Sequence, residues 1–121
     1  MANKLLGRVT IVADGQTFND FKGSTLDTGG IKRNPQPGSN SSDGFTEELM
    51  PSKVETEIQF DAGTSVAAVK AMVGVTIQFQ VDTGQNYIIN GAYCAEPPTL
   101  TSGDGKMKVV FQGPEAAEVM A

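Results

Sequence analysis

A mainly β fold with one short helix and a long arm is what the sequence predicts. Three observations support it: apolar and polar residues alternate with a period of two in several runs, glycine-containing turns separate those runs, and helical spacing occurs only once. Leu5, Gly7, Val9, Ile11 and Ala13 alternate with Leu6, Arg8, Thr10 and Val12. Asp14-Gly15 then supplies the positive φ angles of a tight hairpin, and Gln16 to Phe21 returns as its second strand. From Lys53 to Asp61, Val54, Ile58 and Phe60 share one face, while Glu55, Glu57, Gln59 and Asp61 share the other, a half-buried strand with an acidic side.

Thr64 or Ser65 is positioned to cap a helix over about residues 64–73, with Val66, Val69 and Val73 on one face and Gly74 as its stop. Val75, Ile77, Phe79 and Val81 alternate with Thr76, Gln78, Gln80 and Asp82, and Thr83-Gly84 turns the chain into a strand from Gln85 to Ala95. Within it, Asn90-Gly91 reads either as a bulge or as a second tight turn. Pro97-Pro98 is expected to end that strand, because proline donates no ladder hydrogen bond. Ser102 to Gly105 makes a last hairpin into Met107, Val109 and Phe111, Gly113-Pro114 closes it, and Glu115 to Ala121 is left as a tail.

The outlier is the segment from Gly29 to Met50, with four glycines and two prolines among polar residues. Structureless connections beyond about a dozen residues are uncommon in compact domains. Ile31, Phe45, Leu49 and Met50 punctuate this one, so it reads either as a surface loop or as an arm that orders against a neighbouring subunit.

Composition narrows the function. A chain of 121 residues and 12.7 kDa makes one domain with a limited core. No apolar run approaches membrane length and no export signal precedes Leu5, so no membrane anchor and synthesis in the cytoplasm are expected. Cys94 is the single cysteine, set among Ala92, Tyr93 and Ala95 as a buried, inert thiol. Without histidine, neither a zinc site nor a histidine-based triad is expected, and no cofactor motif is found. The Asn40-Ser41-Ser42 acceptor triplet is idle without secretion. Nine basic residues against fourteen acidic ones disfavour tight nucleic-acid binding. Glu47-Glu48 and Glu55/Glu57 are the remaining candidates for acid–base chemistry, and a solvated face is their ordinary reading. No catalytic activity is expected.

Several segments taken together resemble a known family. They are Asp27-Thr28-Gly29-Gly30-Ile31-Lys32-Arg33, Gly44-Phe45-Thr46-Glu47-Glu48, Ser52-Lys53-Val54-Glu55, Ala92 through Leu100, Gly103-Asp104-Gly105-Lys106 and Val110 through Pro114. In length, order and spacing the chain resembles the tail tube proteins of Mu-like contractile bacteriophages. The resemblance implies a β-sandwich or partial β-barrel core with a flanking helix. It also implies six-membered rings, closed by joined sheets and stacked into a hollow tube, within a sheath that drives it through the host envelope while the genome passes down the lumen. The partners implied are further copies of the chain, the sheath protein, baseplate and tail-terminator proteins at the ends, and DNA in transit without specific binding. The location implied is the virion tail.

On this reading Gly29, Gly30, Ile31, Lys32, Arg33, Phe45, Glu47, Glu48, Leu49 and Met50 form an interface arm, with Lys32 and Arg33 pairing Glu47 and Glu48 between subunits. A wall that conducts DNA must not hold phosphates, so Glu55, Glu57, Gln59 and Asp61, with Thr76, Gln78, Gln80 and Asp82, are the lumen-facing candidates. Other readings are the tube of a DNA-free contractile particle, a monomeric binding module using the arm as a recognition loop, and a glycosidase-like enzyme using paired carboxylates.

Overall fold

The computed structural model describes residues 4–18, 23–38 and 42–120. Its strands are β1 (Val9–Ala13), β2 (Gln16–Phe18), β3 (Thr25–Asp27), β4 (Gly30–Pro37), β5 (Ser42–Met50) and β6 (Ser52–Gln59), then β7 (Val73–Val81), β8 (Asn86–Thr101), β9 (Lys106–Gly113) and β10 (Ala117–Val119). The helix α1 (Val66–Lys70) lies between β6 and β7. One antiparallel sheet runs β2-β1-β7-β8-β9-β6-β3, with β10 added beside β8, and β4 and β5 form a separate two-stranded sheet. The larger sheet curls into a half-barrel, so the fold is the mainly β one that the alternation predicts. Phe21, Asn40 and Ser41 lie outside the described residues.

Strand β8 bends the sheet. Its first half pairs with β7 and its second half with β9, and its ladders shift register at several points. Opposite Thr76, β8 places both Asn90 and Gly91, and Gly91 has a φ of +80°, so this is a bulge and not a turn. Pro97 and Pro98 do not end the strand. They fall between the paired residues Glu96 and Thr99, in a bulge that asks for no ladder donor. The tail likewise pairs: β10 lies along Asn86–Ile88, and the Tyr87 hydroxyl donates to Glu118 at 2.7 Å.

The inward side chains are the apolar members of each alternation. Ile11, Ala13, Val54, Ile77, Ile89, Met107, Val109 and Phe111 are buried to within 2% of complete. Phe18 stacks on Phe111 with ring centroids 6.3 Å apart. Ser65 is the cap of α1, its hydroxyl accepting from the Ala68 N–H at 3.2 Å. The helix ends at Lys70, earlier than its apolar spacing suggests; Val73 opens β7, and the positive φ of Gly74 serves a bulge in that strand. Val69 and Met72 are the buried residues that carry this segment into the core, with Val66 packed partly buried against it.

Two expected strand ends lie outside the ladders. Leu5 and Leu6 are exposed because the Asp82 carboxylate accepts the Gly7 and Arg8 N–H groups that a longer β1 would have used. Phe60 is 38% exposed, not on the core face with Val54 and Ile58: β6 stops at Gln59, and Asp61 folds the chain by accepting from the Gly63 N–H and the Thr64 hydroxyl.

Candidate assembly surfaces

The segment from Gly30 to Met50 is not a structureless loop but a hairpin. Strands β3 and β6 pair Thr25 with Glu55, Leu26 with Val54 and Asp27 with Lys53, and β4 and β5 pair Gly30 with Met50, Ile31 with Leu49 and Lys32 with Glu48. The pairing offset is the same on both sides, so β3-β4 and β5-β6 form one long hairpin interrupted at Thr28-Gly29 and Pro51. Its root belongs to the half-barrel; its outer part projects as an arm.

The interruption is tightly held. Asp27 Oδ1 accepts from the Gly29 N–H at 3.0 Å, and the Ala116 N–H donates to the Thr28 carbonyl at 2.9 Å. The fully buried Ser52 hydroxyl lies 2.7 Å from the Pro114 carbonyl and 3.2 Å from that of Gly113. Gly29 has a φ of +71° and packs so closely on Pro51 and Ser52 that a Cβ would lie 2.6 Å from the Ser52 nitrogen. The Glu115 carboxylate covers Gly30 in the same way. Ser52, Glu115 and Ala116 were not legible as parts of a joint, because the contacts link residues far apart in the chain, 61 positions for Ser52 with Gly113 and more for Ala116 with Thr28.

Beyond the joint the arm is exposed on both faces. One face carries Ile31 opposite Leu49, Arg33 opposite Glu47 and Pro35 opposite Phe45, with the Arg33 guanidinium 5.8 Å from the centre of the Phe45 ring. The other carries Met50 and a polar row in which Asn34 donates to Glu48 at 3.5 Å and Gln36 to Thr46 at 3.4 Å. Leu49 is 79% exposed and Phe45 56%. Lys32 and Glu48, like Arg33 and Glu47, stand opposite each other within one chain, and among the described residues none of them forms an ion pair within 4.0 Å.

The outer face of the half-barrel has two different halves. Around β6, Glu55 and Glu57 do point outward, but lysines stand among them. Lys53 Nζ is 2.8 Å from Glu55 and holds its carboxyl below the ordinary carboxylate value, and Lys106 reaches Glu57 at 3.9 Å. Lys108 of β9 is the register partner of Glu57, and Lys106 that of Gln59. This half is therefore charge-balanced, not acidic. Around β7 the outward residues are uncharged: Thr76, Gln78 and Gln80, with Thr10 and Val12 of β1 and Asn86, Ile88 and Asn90 of β8 beside them. Gln80 donates to Gln78 at 2.9 Å.

Asp61 and Asp82 belong to neither strand face. Asp61 closes its turn, and Asp82 accepts from the Gly7 N–H at 3.2 Å and the Arg8 N–H at 3.1 Å, contacts that hold its carboxyl below the ordinary value. Among the described residues, the groove of about 270 Å³ between β2 and α1 has Asp61 as its one carboxylate. A smaller one of about 190 Å³ includes Glu55 and Glu57, but alongside Lys108 and with Glu55 held ionised by Lys53, the reverse of what a general acid needs. Burial pushes the Cys94 thiol up, away from the reactive thiolate. Among the described residues no three metal-ligating side chains converge.

The sequence of the chain matches known proteins over nearly its whole length. A family model described as phage tail tube protein matches residues 2–118. The chain is also 32% identical over 119 residues to the Mu-like prophage FluMu tail tube protein of Haemophilus influenzae, covering 98% of this chain and 99% of that protein.

Proposed function

The chain belongs to the phage tail tube protein family, and on that premise we propose that its copies close into hexameric rings which stack into the hollow tube of a contractile tail. The tube lies inside a sheath, is bounded by baseplate and terminator proteins, and conducts the genome into the host. The chain is made in the host cytoplasm and works by assembly alone, without catalysis.

The observation that carries this reading is the arm. A two-stranded hairpin is marginal in water without a covered hydrophobic face, yet Ile31, Phe45 and Leu49 stand exposed on it. A second copy completes what the lone subunit leaves open. Stacking of this kind is head-to-tail, so it propagates as a filament instead of closing as a dimer. Lys32 and Arg33 face Glu48 and Glu47 within their own hairpin without an ion pair within 4.0 Å among the described residues, so these charges remain for contacts with other copies beside the arm's apolar face. Electron microscopy of the concentrated protein tests this. Tubes with an axial channel and six-fold end views support it; a chain that stays monomeric at every concentration rules it out.

For the lumen, the charge-balanced half around β6 gives way to the uncharged half around β7, and Gln78 and Gln80 are the residues of choice. A neutral amide wall neither binds phosphates nor repels the duplex, and ring symmetry repeats any charge placed there. Tubes carrying Gln78→Lys and Gln80→Lys retain duplex DNA in a low-salt pelleting assay while wild-type tubes release it; equal release from both places this face elsewhere.

A further inference from the structure

The arm has two outer edges, and only one is fit to accept another strand. Pro35 stands opposite Phe45. Proline has no N–H, so this pair occupies a site where the ladder hydrogen bonds are made by its neighbours and not by the pair itself. The N–H and C=O of Phe45 therefore point away from β4, and by the period of two so do those of Glu47 and Leu49. On β4 the corresponding outward groups belong to Ile31, Arg33 and Pro35, and Pro37 follows. That edge is interrupted by proline, a familiar guard against strand addition. The β5 edge from Phe45 to Leu49 contains no proline and offers three donors and three acceptors in a row.

We propose that the β5 edge is a strand-addition site, completed in the assembly by an edge strand from the body of a second copy of this chain. The inference rests on the tube reading and deepens it, since it assigns the contact to backbone hydrogen bonds on one edge as well as to the apolar face. The terminal strands of the eight-stranded sheet, β2 and β3, have three residues each, so the body offers short edges where the arm offers a long one. The occupant is a second copy because the family builds a tube. It is also because charges are complementary: Glu47 and Glu48 on this edge, and Lys70 and Lys108 on the body, all lack an ion pair within 4.0 Å among the described residues. Pairing of β5 with β5 is excluded as the growth contact, because a two-fold contact closes on itself and adds no further ring.

Two variants at one position test the proposal. Glu47→Pro deletes an outward donor while leaving the inward bonds to β4, as Pro35 does on the other strand; Glu47→Ala removes the carboxylate but keeps the N–H. The proposal expects Glu47→Ala to form tubes and Glu47→Pro to raise the protein concentration needed for tubes by roughly tenfold or more. Amide hydrogen exchange on the wild-type chain gives the second reading: Phe45, Glu47 and Leu49 exchange freely in the monomer and become protected in the tube. Equal assembly of the two variants, or Phe45, Glu47 and Leu49 amides that still exchange freely in formed tubes, overturns strand addition and leaves the tube reading intact. A wild-type chain that forms no tubes overturns the tube reading itself.

Discussion

The long hairpin from Thr25 to Glu55 keeps one register from its root as far as Gln36 opposite Gly44, yet its two ends have opposite surroundings. At the root, Val54 and Ile58 turn from the outward lysine and glutamates into a packed core with Met107, Val109 and Phe111. In the arm, Ile31, Leu49 and Phe45 alternate with polar residues in the same way, but nothing among the described residues covers them. Alternation specifies that a strand has an apolar side; it does not say whether the cover comes from the same molecule. Here the root has its cover within the subunit, and the arm waits for another.

The largest expected effect sets these two ends against each other. Phe111→Ala opens a cavity beneath Phe18 and costs about 3–5 kcal/mol in urea unfolding of the monomer. Phe45→Ala changes the same measurement by less than about 0.5 kcal/mol but hinders tube formation. A Phe45→Ala loss as large as that of Phe111→Ala would mean that the arm is covered within its own subunit.

The joint between the two ends ranks next. Gly29→Ala places a Cβ against the Pro51–Ser52 backbone at a positive φ, and destabilises the monomer by at least about 1 kcal/mol. Ser52→Ala removes the hydroxyl that bridges to the Gly113 and Pro114 carbonyls, a loss of about 1 kcal/mol. If either change leaves thermal unfolding untouched, the arm is not clamped by the β9–β10 connection.

Acid gives the smallest effect, and it belongs to the body. The folded pKa of Asp82 lies below its ordinary 3.8, chiefly because its carboxylate accepts the Gly7 N–H. Its contribution is therefore fully present above the unfolded pKa and is lost as the pH falls through the folded value. The melting temperatures of wild type and Asp82→Asn accordingly differ at neutral pH and converge in acid below about pH 4; a gap that stays constant would remove Asp82 from this role.

Much of this was legible in the chain. The inward faces of β1, β6, β7 and β9 follow directly from alternation, and the cap of α1 is narrowed to Thr64 or Ser65, of which the fold uses Ser65. What was not legible depends on which strands become neighbours. The acidic side of β6 reads as acidic until β9 brings Lys106 and Lys108 alongside it, a pairing that no local pattern announces. Pro97-Pro98 reads as a terminus because a bulge that excuses both prolines exists only once β8 is laid against β9. The glycines and prolines of the arm hide a regular hairpin, although Pro35 itself carries the clue to which edge is left open. The family was visible in the order of its turn segments, while the joint at Ser52 and the uncharged face around Gln78 needed the folded chain.

A density map of tubes assembled from the purified chain tests the central claim most directly. It should show Phe45 and Leu49 buried against an adjoining copy, with a foreign strand along β5. Tubes in which the arm reaches free solvent, with both side chains still exposed, would contradict it.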